Sequence, residues 1–178
     1  MKPAPSPQPA GSRSPADPPA HIRQAAVLRN RAATLLQAGR SGEAEALHGR
    51  GVAEFGHAGG GFREAGDAPF QSNPHMHLLE ACLAWAEAGG GAVWDETADA
   101  IVGLALDRFI DSGSGALREF FAADWTPAAG VAGRLVEPGH QFEWAWLLLR
   151  WARRRGEPKA EAAARRLFAI GDAGVDPA

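Results

Sequence analysis

Cysteine occurs once in the 178 residues, at Cys82. An internal disulfide and any thiolate-based structural zinc site are thereby excluded, and the usage suits a reducing compartment, so the cytoplasm is the expected location. Tyrosine is absent and β-branched residues are scarce, which argues against a sheet-built core. Long hydrophobic runs are missing as well. The longest, Trp144 to Leu149, stops at Arg150, far short of the roughly 20 residues that span a bilayer, so no membrane partner is expected. Nor is there an excess of charge of one sign. Eighteen basic side chains face 21 acidic ones, for a net charge of −3, and no basic run exceeds Arg153-Arg154-Arg155. A surface that tracks nucleic-acid phosphates is not expected from that distribution.

What is present is an Ala/Leu-rich chain, 46% apolar and 22% charged, the balance of one globular helical domain. Residues 1–20 stand apart. They hold seven of the 13 prolines, mixed with Ser, Ala and Gln, and lack an apolar signal-peptide region. They read as a disordered Pro-rich tail, leaving 21–178 as the folded domain. Start and stop signals then predict six helices. The first runs over 22–38 to Gly39, and the second over 42–57 before the glycines at 59–61. A third opens at Asn73-Pro74, read as an N-cap followed by proline, and ends at Gly89-Gly90. The fourth covers 95–111 with Asp95 as cap. The fifth runs from Glu137-Pro138 to Gly156, and the sixth over 158–170 from Pro158. Apolar residues nearly encircle the third and fifth, which predicts burial on most faces.

Two connections, 58–72 and 112–136, are longer than helical packing requires, and loops of that size are commonly functional. They also resemble each other. Gly61-Phe62-Arg63-Glu64 precedes one helix and Gly115-Ala116-Leu117-Arg118-Glu119 the other, and both helices begin with proline followed by His-x-x-Glu, in His77/Glu80 and His140/Glu143. This is an internal repeat of αα-hairpins, and such units stack side by side into a toroid or solenoid with the long loops at one end. His and Glu three apart share a helix face. The helix N-terminus favours a neutral imidazole, and the glutamate pulls the other way and fixes its tautomer. Two such pairs on neighbouring helices would set two imidazoles around one pocket.

A sugar-stacking face is expected of Trp125, in the second long loop, and of Trp144, beside Glu143, with core packing the competing role for both. Trp85, Trp146 and Trp151 are expected in the core. His21, His48 and His57 are expected at the surface, and His75 is read as a pocket residue or a cap partner.

The strings Gln71-Ser72-Asn73-Pro74-His75-Met76-His77-Leu78-Leu79-Glu80-Ala81 and Val136-Glu137-Pro138-Gly139-His140-Gln141-Phe142-Glu143-Trp144-Ala145-Trp146-Leu147-Leu148 resemble the N-acylglucosamine 2-epimerase family, as does Phe109 to Pro127 between them. The likeness covers about residues 27–178. It implies an all-α, (α/α)6-barrel fold of twelve helices, of which six are expected here as an open arc, so the chain reads as the middle segment of a longer fold. It implies cofactor-free proton transfer at the sugar C2, with His140 as a catalytic acid/base supported by Glu143. Asn73 and His77 would bind substrate hydroxyls, with His77 also assisting the proton transfer. On this reading the protein is a sugar isomerase or 2-epimerase of mannose or N-acylglucosamine type, and its partners are a small sugar and a second copy or complementary chain. Two other classes compete: a metal-binding helical protein using His77, Glu80, His140 and Glu143, and a noncatalytic glycan- or partner-binding fragment.

Overall fold

Proline at the first position of a helix forfeits no hydrogen bond, and glycine past the last position closes the helix in the left-handed region. Both signals operate in the computed structural model, which describes residues 35, 38–63 and 70–175. The Pro-rich tail and nearly all of the predicted 22–38 helix lie outside the described residues. Within them the order is α1 (Ser41–Phe55), β1 (Phe70–Gln71), α2 (Ser72–Glu87), α3 (Ala92–Leu104), β2 (Phe120–Phe121), α4 (Pro138–Arg155) and α5 (Pro158–Ala173). A π-helical turn, Ala105–Phe109, prolongs α3, and a short 3-10 turn, Ala132–Arg134, precedes α4. Prolines open α4 and α5, and Gly156 ends α4 at φ 71°.

The predicted starts shift at two helices. Asn73 lies inside α2, because the backbone N–H of Ser72 already bonds the Glu119 carbonyl and the helix begins there. Asp95 sits in the first turn of α3, whose cap is Gly91, and Asp95 binds Arg154 instead.

Helices α2 and α4 are neighbours in one layer, flanked by α3 and α5. Both begin at the same end, where β1 and β2 pair antiparallel in the register Phe70↔Phe121 and Gln71↔Phe120. At the opposite end three arginines of α4 form a clasp: Arg150 with Glu87, Arg154 with Asp95, and Arg155 with Asp99. The core lies between the layers. Trp85 stacks on Trp94 at 4.3 Å, and Phe109 centres a ring cluster with Phe121, Trp125 and Trp144.

The repeat is real, and its register differs from the proline alignment. Phe62 bridges back to Gly56 as Leu117 does to Ile110. The N–H of Phe62 is then accepted by His75 Nε2, while that of Leu117 is accepted by Gln141 Oε1. Each of those side chains also reaches the carbonyl four residues back, His75 to Gln71 and Gln141 to Glu137. His75 and Gln141 are therefore equivalent, and His77 corresponds to Glu143 rather than to His140.

Two expectations about burial change. Helix α4 is not covered all round: Trp146 is 50% exposed, with Arg150 over its ring, because it faces away from α3 and α5. Trp151 is half-buried and donates to Asp99. His48 and His57 are not free surface residues either. His48 stacks on Trp94 and bonds Thr97, and His57 accepts from Gly59 and abuts Phe70 and Trp125.

Candidate active site

A buried carboxylate joins the two inner helices where they begin. Glu119, just ahead of β2, is 5% exposed. Its Oε2 accepts from the Ser72 hydroxyl at 3.2 Å and from His140 Nδ1 at 2.9 Å. A carboxylate only accepts, so Nδ1 carries a proton, and in the neutral ring the lone pair is then on Nε2. His140 is the third residue of α4, placed there by the proline start, and its side chain is partly open. Its carboxylate partner is Glu119. Glu143, expected to support His140, is exposed on the same helix.

Asn73, His77 and Glu80 lie at i, i+4 and i+7 on α2 and so share a face. His77 Nδ1 stands 3.6 Å from Glu80 Oε2, in an open pair whose side chains are 41% and 52% exposed. Asn73 Oδ1 is buried without a hydrogen-bond partner, as is Glu119 Oε1. Glu143, Trp146 and Arg150 share a face of α4 by the same spacing. Glu87, seven residues beyond Glu80, is the partner of Arg150. With the faces tied together at that end, and with Ser72, Glu119 and His140 tied at the other, both faces look onto one side of the inner layer. By helical spacing, His77 and Glu80 on α2 and Glu143 and Trp146 on α4 fall on the faces that carry the Glu87–Arg150 pair, while His140 is held by Glu119.

Trp125 and Trp144 are not on that surface. Their exposures are 2% and 0%. Trp125 donates its indole N–H to the Gly60 carbonyl, fastening the two long loops to each other. Neither ring offers a face to a sugar. Trp146, expected in the core, is instead half-exposed, with Arg150 over its ring.

His75 is spent on structure. Both ring nitrogens are engaged, and burial pushes it down to about 4, outweighing the opposing Gln71 carbonyl bond. Among the described residues no three His, Cys, Asp or Glu side chains gather closely enough to hold a metal ion. A separate cleft of about 490 Å³ lies between the turn ending α3 and helix α5, with Arg118, Trp125, Lys159 and Arg166 in its wall, and takes in none of Asn73, His77, Glu119 or His140.

The N-acylglucosamine 2-epimerase (GlcNAc 2-epimerase) family model matches residues 22–177. The chain belongs to the N-acylglucosamine 2-epimerase family. Among relatives in this family, a protein of Rhizobium meliloti (strain 1021) named mannose-6-phosphate isomerase is 52% identical over 157 residues, covering 86% of this chain and 39% of its own length. A D-mannose isomerase of Pseudomonas cannabina pv. alisalensis is 35% identical over 95 residues, covering 47% of this chain and 23% of its own. A crystal structure of D-mannose isomerase superposes with a TM-score of 0.69 at 21% identity, over 83% of this chain and 41% of that one. The all-α fold is therefore that of the epimerase family, a portion of an (α/α)6 barrel, and the chain spans about two fifths of the length of its relatives. No described helix is long and apolar enough to cross a membrane.

Glu119 is the site residue that spacing missed. Its signal was the Arg-Glu doublet shared by Arg63-Glu64 and Arg118-Glu119 at the mouths of the two inner helices, but a local pair at i, i+3 competes with any distant partner when spacing alone is read.

Proposed function

We propose that the chain contributes to the active site of a sugar aldose–ketose isomerase or 2-epimerase acting on a mannose- or N-acylglucosamine-type sugar, with His140 as an acid/base at C2. The observation that carries this reading is the orientation of His140: Nδ1–H is bound to a buried carboxylate, which leaves the Nε2 lone pair on the partly open side of the ring. In the forward step the C2–H bond of the open-chain sugar breaks and its proton passes to Nε2. The electron pair forms the C1–C2 double bond of an enediolate, and the negative charge settles on O1. Transfer of the O2 proton to O1 with protonation at C1 gives the ketose, whereas protonation of C2 from its opposite face by a second acid gives the epimer.

Asn73 and His77, which share a face of α2, would take substrate hydroxyls. Glu80 and Glu143 would supply further acceptors, and the half-exposed Trp146, on the side of its ring away from Arg150, would take the apolar side of a sugar. The names of the relatives support the substrate class. The test is incorporation of solvent deuterium at C2 of D-mannose. His140→Ala should lose about 10² to 10⁴ in rate, the usual share of a general acid/base, and exchange at the wild-type rate would remove His140 from the reaction.

A further inference from the structure

We propose that Glu119 is the positioning residue of His140, acting through the Nδ1 hydrogen bond to set the tautomer and to stabilise the imidazolium formed when Nε2 takes a proton. The inference rests on the reading of His140 as the acid/base.

Leaving a carboxylate buried without a cation is costly, and proteins ordinarily neutralise one with a nearby guanidinium. The means are at hand, because Arg118 is the adjacent residue. Yet Arg118 turns away, its terminal nitrogens bonding the Gly133 carbonyl and Asp111. Among the described residues the one cationic partner within ion-pair distance of Glu119 is His140. The carboxylate is thus balanced when the imidazole is protonated and is under-compensated when it is neutral, which ties its burial to the proton cycle. Ser72 limits the other degree of freedom. Its hydroxyl and its backbone N–H hold the Oε2 atom and the carbonyl of the same Glu119, so the carboxylate is anchored to α2 while it holds an imidazole on α4. A mere pin between the helices would not need the charge, since glutamine could accept the same two hydrogen bonds.

The test is Glu119→Gln in the full chain, read first by ¹⁵N NMR of the histidine side chains. Wild-type His140 should show the Nδ1–H tautomer, and in the variant the two neutral tautomers should become mixed, because the amide can also donate to Nδ1. An unchanged tautomer together with an unchanged kcat would overturn the proposal. Ser72→Ala is the second variant. It leaves Oε2 to His140 alone, so His140 should keep its Nδ1–H tautomer, and loss of that tautomer would count against the arrangement. In the D-mannose exchange assay, Glu119→Gln should lower kcat by roughly 10² or more with KM within a few-fold, as when a histidine loses its orienting carboxylate. If His140→Ala exchanges like wild type, the isomerase reading fails while the NMR result still decides the role of Glu119.

Discussion

His75 and Gln141 do the same task with different side chains, and the difference is a proton. His75 is 2% exposed, donates from Nδ1 to the Gln71 carbonyl and accepts at Nε2 from Phe62. A proton added at Nε2 would break the second bond. Because burial pushes this histidine down to about 4, between that value and the ordinary 6.5 the unfolded chain binds a proton that the native chain does not. Stability is therefore fully present above pH 6.5 and falls as the pH drops toward 4, by on the order of 3 kcal/mol. His48, also lowered by burial, acts in the same direction. Denaturant titrations from pH 7.5 to 4 should show this slope. His75→Gln, which copies the equivalent Gln141, should flatten most of it, and a variant as pH-sensitive as wild type would refute the assignment. Cys82 makes a simpler test. It is buried, its thiol is pushed up to about 12 by desolvation, and the native protein should resist alkylation at pH 8 until unfolded. At this scale the sequence exposed residue types but not partners. His75 was readable as a pocket residue or a cap partner, because the loop N–H that decides the matter lies 13 positions away in Phe62.

Helix bounds were far more legible. Pro138, Pro158 and Gly156 act through the backbone of their own turn, so a local reading sufficed, whereas Asn73 misled because the start of α2 is set by Glu119, which is distant in sequence. The π turn at Ala105–Phe109 left no local mark, since its cause is tertiary: it carries Phe109 into full burial against His75, Phe121 and Trp125. The repeat was visible, but its register was not, because side-chain clamps and not prolines define it. Those clamps predict a mutational cost. Gln141 is fully buried, and its amide holds both the N–H and the carbonyl of Leu117. Gln141→Ala strands two backbone groups, each worth about 1–3 kcal/mol when left unpaired. A loss of roughly 2–4 kcal/mol is expected in the denaturant midpoint, with the loop that carries Glu119 loosened first in hydrogen exchange. Gln141→Glu should lose nearly as much, because a carboxylate cannot donate to the Leu117 carbonyl.

For the whole molecule, the outer flank of the α4–α5 hairpin ends in apolar surface. Phe168 is 58% exposed and Val175 is also open, with Phe142 packed edge-on to Phe168. An uncovered patch of this kind favours association, so light scattering should show a mean mass that rises with concentration, and Phe168→Gln should reduce the rise without shifting the unfolding midpoint. A concentration-independent monomer mass in the wild type would show that this flank needs no cover.

The arginine clasp gives the two ends of the inner helices different responses to ionic strength. Arg150, Arg154 and Arg155 lie with their carboxylates at solvent-facing positions, where each pair contributes about 0.2–1 kcal/mol and added salt screens it within roughly 10 Å at 0.1 M. The Glu119–His140 contact has its acid inside the protein and is shielded from mobile ions. Raising sodium chloride toward 1 M should therefore soften the far end of the helix pair, seen as faster amide exchange near Glu87 and Arg155, while the orientation of His140 holds. The molecule would loosen like a book whose open edge is unclipped and whose spine stays bound.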